Sequence, residues 1–503
     1  MACALKTRPG GPHPRRRGAL ALWFALVALP ATAQITPLTT QSLSIYRPSG
    51  AFTGDYLAAE GGFIYTDNVA RSANATDQFL VTVGLSGDLA RDGPRLDYRL
   101  SSNLALVKYL GGAYPTEPTG YLDGTLKFKL LPGFLTWIVR ETFSEVQIDP
   151  FAPVTPDNLV NLNFITTGPR FTLRPTLRTS VTLDALYSYV TSSSAAQQFA
   201  NLDSHRYGGD LRIDRAFSET ASLYLKGHYE KVDFKDQETN NNFSIGEAIG
   251  GYQLTNGRTV FDLSGGYSQL RVYDVLTIVE GPGGSRETTA TQHFDEPVWK
   301  VDLSRLITPN QRIAVHASEQ FTDAASQFRL GFDQPVPTLA PQPFATSDPF
   351  KQRQYSLDWR WQATRTTVNV SLLESRQHYL LNTVNDLEWK SANATLTRLV
   401  SPVLIWDLAA SIGRYERIGT APANGEPAPT GESTKTYGVS TGLRWQVGEH
   451  LALRFIYTHS RQNGVYTENQ IGVVASWALV GGNANIRWGT ALAPVDTAST
   501  RYQ

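Results

Sequence analysis

Of 503 residues, one is cysteine and one is methionine. A disulfide framework and a Cys-rich zinc or iron–sulfur site are therefore excluded. Neither sign of charge is in excess, with 45 Lys+Arg against 45 Asp+Glu, whereas nucleic-acid binders usually carry a basic surplus. No apolar run reaches the roughly 18 residues that mark a spanning helix. Phosphate-binding glycine loops, a dinucleotide fingerprint and an H-E-x-x-H metal motif are also missing. With a mean hydropathy of −0.25, these averages describe a soluble chain of two to four domains or one large architecture.

The first 33 residues change that reading. Lys6, Arg8 and Arg15 to Arg17 form a basic stretch, Gly18 to Leu29 an apolar core, and Pro30-Ala31-Thr32-Ala33 precedes Gln34. This order marks a signal peptide over 1–33, cleaved between Ala33 and Gln34. Cys3 lies too early to be a lipobox cysteine. Cleavage removes Met1, Cys3 and five bases but no acid, leaving 470 residues with 40 bases and 45 acids, a net of −5. An exported chain without cysteine must be stabilised by something other than disulfides.

After Gln34 the dominant period is two, not 3.6. Leu223, Leu225, Gly227 and Tyr229 alternate with Ser222, Tyr224, Lys226, His228 and Glu230; Phe261 to Ser268 and Tyr355 to Gln362 repeat the pattern. Such alternation puts one residue set on each face of a strand. The runs extend roughly 10–15 residues, about twice the globular average. Nine short, turn-rich links, such as Arg91-Asp92-Gly93-Pro94 and Leu131-Pro132-Gly133, take turns with ten mostly longer polar links, among them 148–158, 274–291, 328–349 and 418–432.

Short turns at one end and long loops at the other are the pattern of a membrane β-barrel with both termini on the periplasmic side. The expected fold is therefore all-β: a transmembrane antiparallel up-and-down β-barrel of about 20 strands (18–22). Residues 34–54 form an N-terminal periplasmic segment, 55–479 the barrel, and 480–503 a periplasmic tail or closing-strand extension. The alternative is an exported soluble β-protein. A propeller blade also repeats every 40–45 residues or so, but it packs four short strands where this chain has two long ones. The closing strand reads Gln470-Ile471-Gly472-Val473-Val474-Ala475-Ser476-Trp477, with Gln470, Gly472 and Trp477 at the positions that the assembly machinery reads in outer-membrane barrels. Since 26 residues follow Trp477, Ile486-Arg487-Trp488 is the alternative close.

Strand parity turns ten bases inward: Arg99, Lys127, Lys129, Arg212, Lys226, Lys300, Arg312, Arg360, Arg444 and Arg454. The matching acids are Asp97, Asp184, Asp214, Glu230, Asp262, Asp302, Asp358 and Asp407. A wall of mixed sign is expected, with many of these groups bridging each other and without a sharply selective filter. Tyr187, Tyr189, Tyr267, Trp359 and Trp361 suit headgroup anchors near strand ends. Of the seven histidines outside the leader, none stands two or four residues from another, so neither a metal site nor a cofactor is expected. No catalytic constellation emerges, and the chain reads as a non-enzyme.

The first hairpin, Gly61-Gly62-Phe63-Ile64-Tyr65-Thr66-Asp67-Asn68-Val69-Ala70-Arg71-Ser72 with the distal Asp77, resembles the opening of the β-barrel porin 2 family, which includes EpsL-like barrels. The stretch from Asp157-Asn158 through Thr167-Gly168-Pro169 also resembles a strand of those proteins. The resemblance implies an integral outer-membrane barrel of a Gram-negative bacterium, associated with exopolysaccharide export. Asp67 and Asn68 then sit at a loop mouth, where a plain turn is the expected role and a bound cation the alternative. Expected partners are outer-membrane lipid and lipopolysaccharide, the barrel-assembly machinery, and a polysaccharide or its export proteins, but no nucleic acid. The function expected is passive diffusion or export of polar solutes through a lumen that loops such as 274–291 or 328–349 constrict. The alternative is a non-conducting surface or scaffold barrel working through its loops.

Overall fold

The computed structural model describes residues 56–192, 202–236, 241–281, 284–333, 346–419 and 432–480. Residues 1–55 and 481–503 lie outside this set, and with them the leader, the Ala33–Gln34 junction, the N-terminal segment, the tail and the alternative close at Ile486 to Trp488.

The described chain is a single closed sheet. β1 (Tyr56–Thr66), β2 (Gln78–Asp92), β3 (Leu96–Tyr109), β4 (Glu117–Leu131) and β5 (Leu135–Gln147) are followed by β6 (Leu159–Thr176), β7 (Thr179–Ser192), β8 (Ser204–Ala216), β9 (Ala221–Phe234) and β10 (Phe243–Thr255). The second half comprises β11 (Thr259–Gly281), β12 (Gly284–Thr308), β13 (Gln311–Thr322), β14 (Phe350–Gln362) and β15 (Thr366–Tyr379), then β16 (Leu387–Ser401), β17 (Leu404–Arg417), β18 (Ser433–Gln446), β19 (Leu451–Gln462) and β20 (Tyr466–Val480). Each of the 20 strands pairs antiparallel with its sequence neighbour, and β20 returns to β1. Closure leaves no sheet edge, which lipid requires because it offers backbone groups no hydrogen-bond partners. Nine turns of two to four residues lie at the rim that also holds the start of β1 and the end of β20, while the equally short link between β19 and β20 lies at the opposite rim. Gly133 takes φ +81 in one of them, a conformation that glycine adopts at no steric cost.

The period of two sorts the residues as the alternation requires. Phe63, Val83, Leu106, Leu225 and Tyr267 are all more than half exposed on the outer face. Their neighbours Ile64, Thr82 and Val107 are buried on the inner one. Residues 274–291, expected as an inward loop, instead continue β11 and β12 as a hairpin paired to Gly281↔Gly284, past an irregularity between Val272 and Val275.

The inner face departs from the expectation of a polar set throughout. Near the long-link rim it is apolar, in clusters such as Val146, Val160, Leu162, Phe164 and Val190, or Ile64, Leu80 and Val107 with Val69 and Tyr109. The reason is that chain folds into the barrel there and gives those side chains something to pack on. One helix, α1 (Ala324–Asp333), follows β13 directly, and Ala324 and Ala325 seat on the first of these clusters. A charge on the outer face has no such partner. Leu225→Arg, inside the apolar belt, is expected to cost about 2–4 kcal/mol, read from denaturant unfolding of the barrel in lipid vesicles.

Candidate functional site

The link between β5 and β6 crosses the mouth of the barrel. Asn158 folds it into a compact strap: its side-chain amide donates to the carbonyls of Asp149 (2.9 Å) and Pro153 (2.9 Å), and its oxygen accepts from the Asp149 amide (2.8 Å). Phe151, at the strap's tip, packs with Leu373, Leu387, Trp389 and Tyr415 of β15 to β17. Those strands lie about half a circumference from β5, so the strap spans the lumen. Its far side is held by polar contacts. Gln462 Nε2 of β19 donates to the Phe151 carbonyl at 2.6 Å, and the Arg417 guanidinium lies 5.0 Å from the Phe151 ring centre.

The link between β1 and β2 supplies a further anchor. Arg71 Nη1 donates to the Val154 carbonyl of the strap at 2.8 Å, while its Nε donates to Glu468 Oε2 at 2.8 Å. Glu468 is fully buried and also accepts from Thr66 and Gln470. Arg71 takes φ 47, a left-handed conformation that a side chain adopts only where its surroundings enforce it. Asp67 accepts from the Asn469 amide (2.7 Å) and from its side chain (2.6 Å), and Asn68 donates to the carbonyls of Ser72 and Thr467. Asp67 and Asn68 thus clamp β1 to the closing strand. Among the described residues no group of three or more His, Cys, Asp or Glu is placed to hold a metal ion.

The helix is latched by the strand next to β7. Arg206 of β8 donates to both oxygens of Asp323, at 3.0 and 2.6 Å, and to Ser326 Oγ at 2.9 Å. Arg206 and Asp323 are each 1% exposed, and Gln377 of β15 donates to Gln327. Burial pushes the Asp323 carboxyl up, but the Arg206 guanidinium wins and holds it below the ordinary carboxylate range. Neither Arg206 nor Asp323 stands out in the sequence, because both fall between the links, in what reads as alternating strand.

Below strap and helix, the strand register turns the ten bases and eight acids named above to the inner face. Lys129 meets Asp97 at 2.8 Å, Arg212 meets Asp214 at 2.9 Å, and Lys300 meets Asp302 at 2.7 Å. Lys226 reaches Asp210 at 3.3 Å, Arg444 lies 3.9 Å from Asp407, and Asp184 meets Arg170 at 2.6 Å. Asp262 accepts from the Tyr224 hydroxyl and the Gln253 amide. Arg312 stands opposite Arg360 and donates to Ser304, Arg454 stands opposite Arg444, and Lys127 and Arg99 lie beside Asp97 and Ala90. Asp210 and Arg170 were not legible as lumen groups, because Gly208-Gly209 and Gly168-Pro169 interrupt the alternation just before them.

Outside, the wall is the inverse: an apolar belt with Trp137, Tyr187, Tyr267, Trp445 and Trp477 among its exposed aromatics, as lipid and its interfaces demand. The chain is an integral outer-membrane barrel. Neither a protein-family model nor any curated protein matches it. Among solved structures, it is similar to the FrpB iron transporter from Neisseria meningitidis, at 9% identity and TM-score 0.45 over 87% of this chain and 84% of that one. It is also similar to the siderophore receptor PiuA from Acinetobacter baumannii, at 9% identity and TM-score 0.42 over 85% and 82%. The ferric yersiniabactin uptake receptor FyuA from Yersinia pestis gives 10% identity and TM-score 0.40 over 85% and 80%. Likeness at this level assigns no substrate to the barrel.

Two expectations follow from the latch. Arg206→Ala leaves Asp323 buried without its cation, an uncompensated charge worth about 3–5 kcal/mol. Hydrogen exchange in α1 is expected to rise accordingly while the strands stay protected. Because the Asp323 carboxyl titrates below its unfolded value of 3.8, its contribution is present above about pH 4 and is lost as pH falls through the folded value. Exchange in α1 is therefore expected to stay flat from pH 7 to about pH 4 and to climb only below it.

Proposed function

We propose that this barrel is a conduit for polar solutes across the outer membrane, held closed at its outer mouth by the strap and α1. What most supports the reading is the contrast inside the barrel. Toward the periplasmic rim the wall is charged and hydrogen-bonded, as a hydrated path requires. Toward the outer rim it is apolar where chain folded inward covers it: α1 on one cluster, Phe151 of the strap on another, and Val69 and Tyr114 of the neighbouring links on a third. A 20-stranded ring leaves a lumen too wide for its own side chains to fill, so chain folded inward is what narrows it. The mixed signs of the wall favour no one ion strongly, which suits an uncharged or weakly charged solute moving down its gradient without a cofactor. The resemblance of the first hairpin makes an exported polysaccharide one such solute. Gln470, Gly472 and Trp477 of β20 complete the proposal as the strand read by the assembly machinery.

The anchoring of the strap favours a second reading, a non-conducting barrel that works through its outer surface. Phe151 is seated in an aromatic pocket and tied to β19, which is more than a loose lid needs. Conductance in planar bilayers separates the two. Removing residues 149–155 from the refolded barrel is expected to raise the unitary conductance several-fold over the intact protein, with Arg71→Ala giving a smaller rise or frequent openings. A shortened barrel that folds, as shown by heat-dependent mobility in SDS gels, yet gives no stepwise current would sink the conduit reading and leave the surface-acting one.

A further inference from the structure

Above the apolar belt, the outward face carries a girdle of charges that mostly neutralise one another. Glu319 lies 2.7 Å from Lys351 and 3.0 Å from Arg353. Glu388 lies 2.6 Å from Arg376 and 3.0 Å from Lys390, and Arg414 meets Glu416 at 2.8 Å. The stretch at β18 and β19 departs from this balance with two cations on adjacent strands. Lys435 of β18 and Arg461 of β19 are both exposed, and among the described residues neither has a carboxylate within ion-pairing distance. Lys435 stands opposite another cation, Arg414, and Arg461 stands opposite Tyr437. Asn463 donates its amide to the Lys435 carbonyl at 3.0 Å. Tyr437, His459, Arg461 and Asn463 line an open recess of about 410 Å³ between the two strands.

Depth along the strand says what this recess faces. Tyr437, Val439, Phe455 and Tyr457 are exposed on the same outer face, and exposed tyrosines at the top of an apolar belt mark the headgroup boundary. Lys435 lies two residues beyond Tyr437, and Arg461 four beyond Tyr457, which is about 7 and 14 Å along a strand. The two cations therefore stand at the level of the lipid headgroups, on the long-link side of the membrane. Arg461, opposite Tyr437, is the diagonal neighbour of Lys435 on the same face, within reach of long side chains, and an anion lodged between the two cations relieves their repulsion. Arg and Lys bind phosphate through charge-assisted hydrogen bonds, and the Asn463 side chain and the Tyr437 hydroxyl add donors around the same recess.

We infer that this recess is a binding site for the phosphorylated headgroup of an outer-leaflet glycolipid, its acyl chains lying along Val439 and Phe455. Lys435 and Arg461 hold the phosphate, and Tyr437 and Asn463 fix its orientation. The site faces lipid, not the lumen, and holds whether or not the barrel conducts.

The test uses the full-length barrel refolded in detergent without native lipid, with bisphosphorylated lipid A, the same lipid stripped of phosphate, and inorganic phosphate as probes. Binding is read by native mass spectrometry. The phosphorylated lipid is expected to bind the intact barrel roughly tenfold or more tightly than the stripped one. The double variant Lys435→Ala, Arg461→Ala is expected to bring the two to equal, weak binding, while Arg353→Ala, from the neutralised girdle, leaves the preference within about twofold. Inorganic phosphate at equal concentration is expected to displace no lipid. Equal binding of both lipids by the intact barrel overturns the site without recourse to any variant. So does an unchanged preference in a double variant that retains heat-modifiable mobility, and displacement by inorganic phosphate would make the recess a free-anion site instead.

Discussion

Pairing of the backbone across the β1–β20 seam is what the rest of the structure depends on. A chain in lipid has no water to satisfy an open edge, and an unsatisfied backbone group there costs several kcal/mol. The seam is therefore more than one ladder among twenty. Besides the register from Thr66↔Gln470 downward, it is clamped by side chains: Asp67 grips Asn469 twice, and Glu468 gathers Thr66, Gln470 and Arg71 into one buried network. Residues of the first and last strands meet there, so the contacts form only once the whole circumference is in place.

The same network carries the constriction. Arg71 faces both ways, to the carboxylate that closes the wall and to the carbonyl of the strap that crosses the mouth. Its left-handed backbone is the strain that this double duty imposes. Strap and helix then rest on different parts of the wall, the first on β15 to β17 and β19, the second on β5 to β8. Each substitutes side-chain contacts for water at positions where a bare barrel would expose apolar residues to the lumen. The apolar inner patches are thus accounted for by what covers them, and the charged inner patches by what does not.

Much of the wall was legible in the sequence. A strand shows its faces through a period of two, and seven of the nine short turns announce themselves through Pro, Gly or Asn, so the strand number and the inward parity of residues such as Lys129 and Asp97 can be counted directly. The mouth was not legible. Residues 148–158 read as one polar link among ten, and residues 274–291 looked better suited to folding inward, yet they continue the β11–β12 ladder. Phe151 finds its partners more than 200 residues away in β15 to β17, and no local pattern announces a contact of that range. Glycines hid part of the lumen too, because Gly208-Gly209 conceals the parity of Asp210.

The sequence by itself determined the wall: strand number, the rim on which each link lies, and the residues that face lipid. Those follow from alternation, since a strand's two faces are set by nearest neighbours along the chain. Tertiary structure alone decided what fills the mouth and which charges find partners, because those depend on which strands stand opposite one another once the ring closes. The pairing of Arg206 with Asp323 across the barrel interior, and the exposure of Lys435 and Arg461 on its outside, are of that second kind.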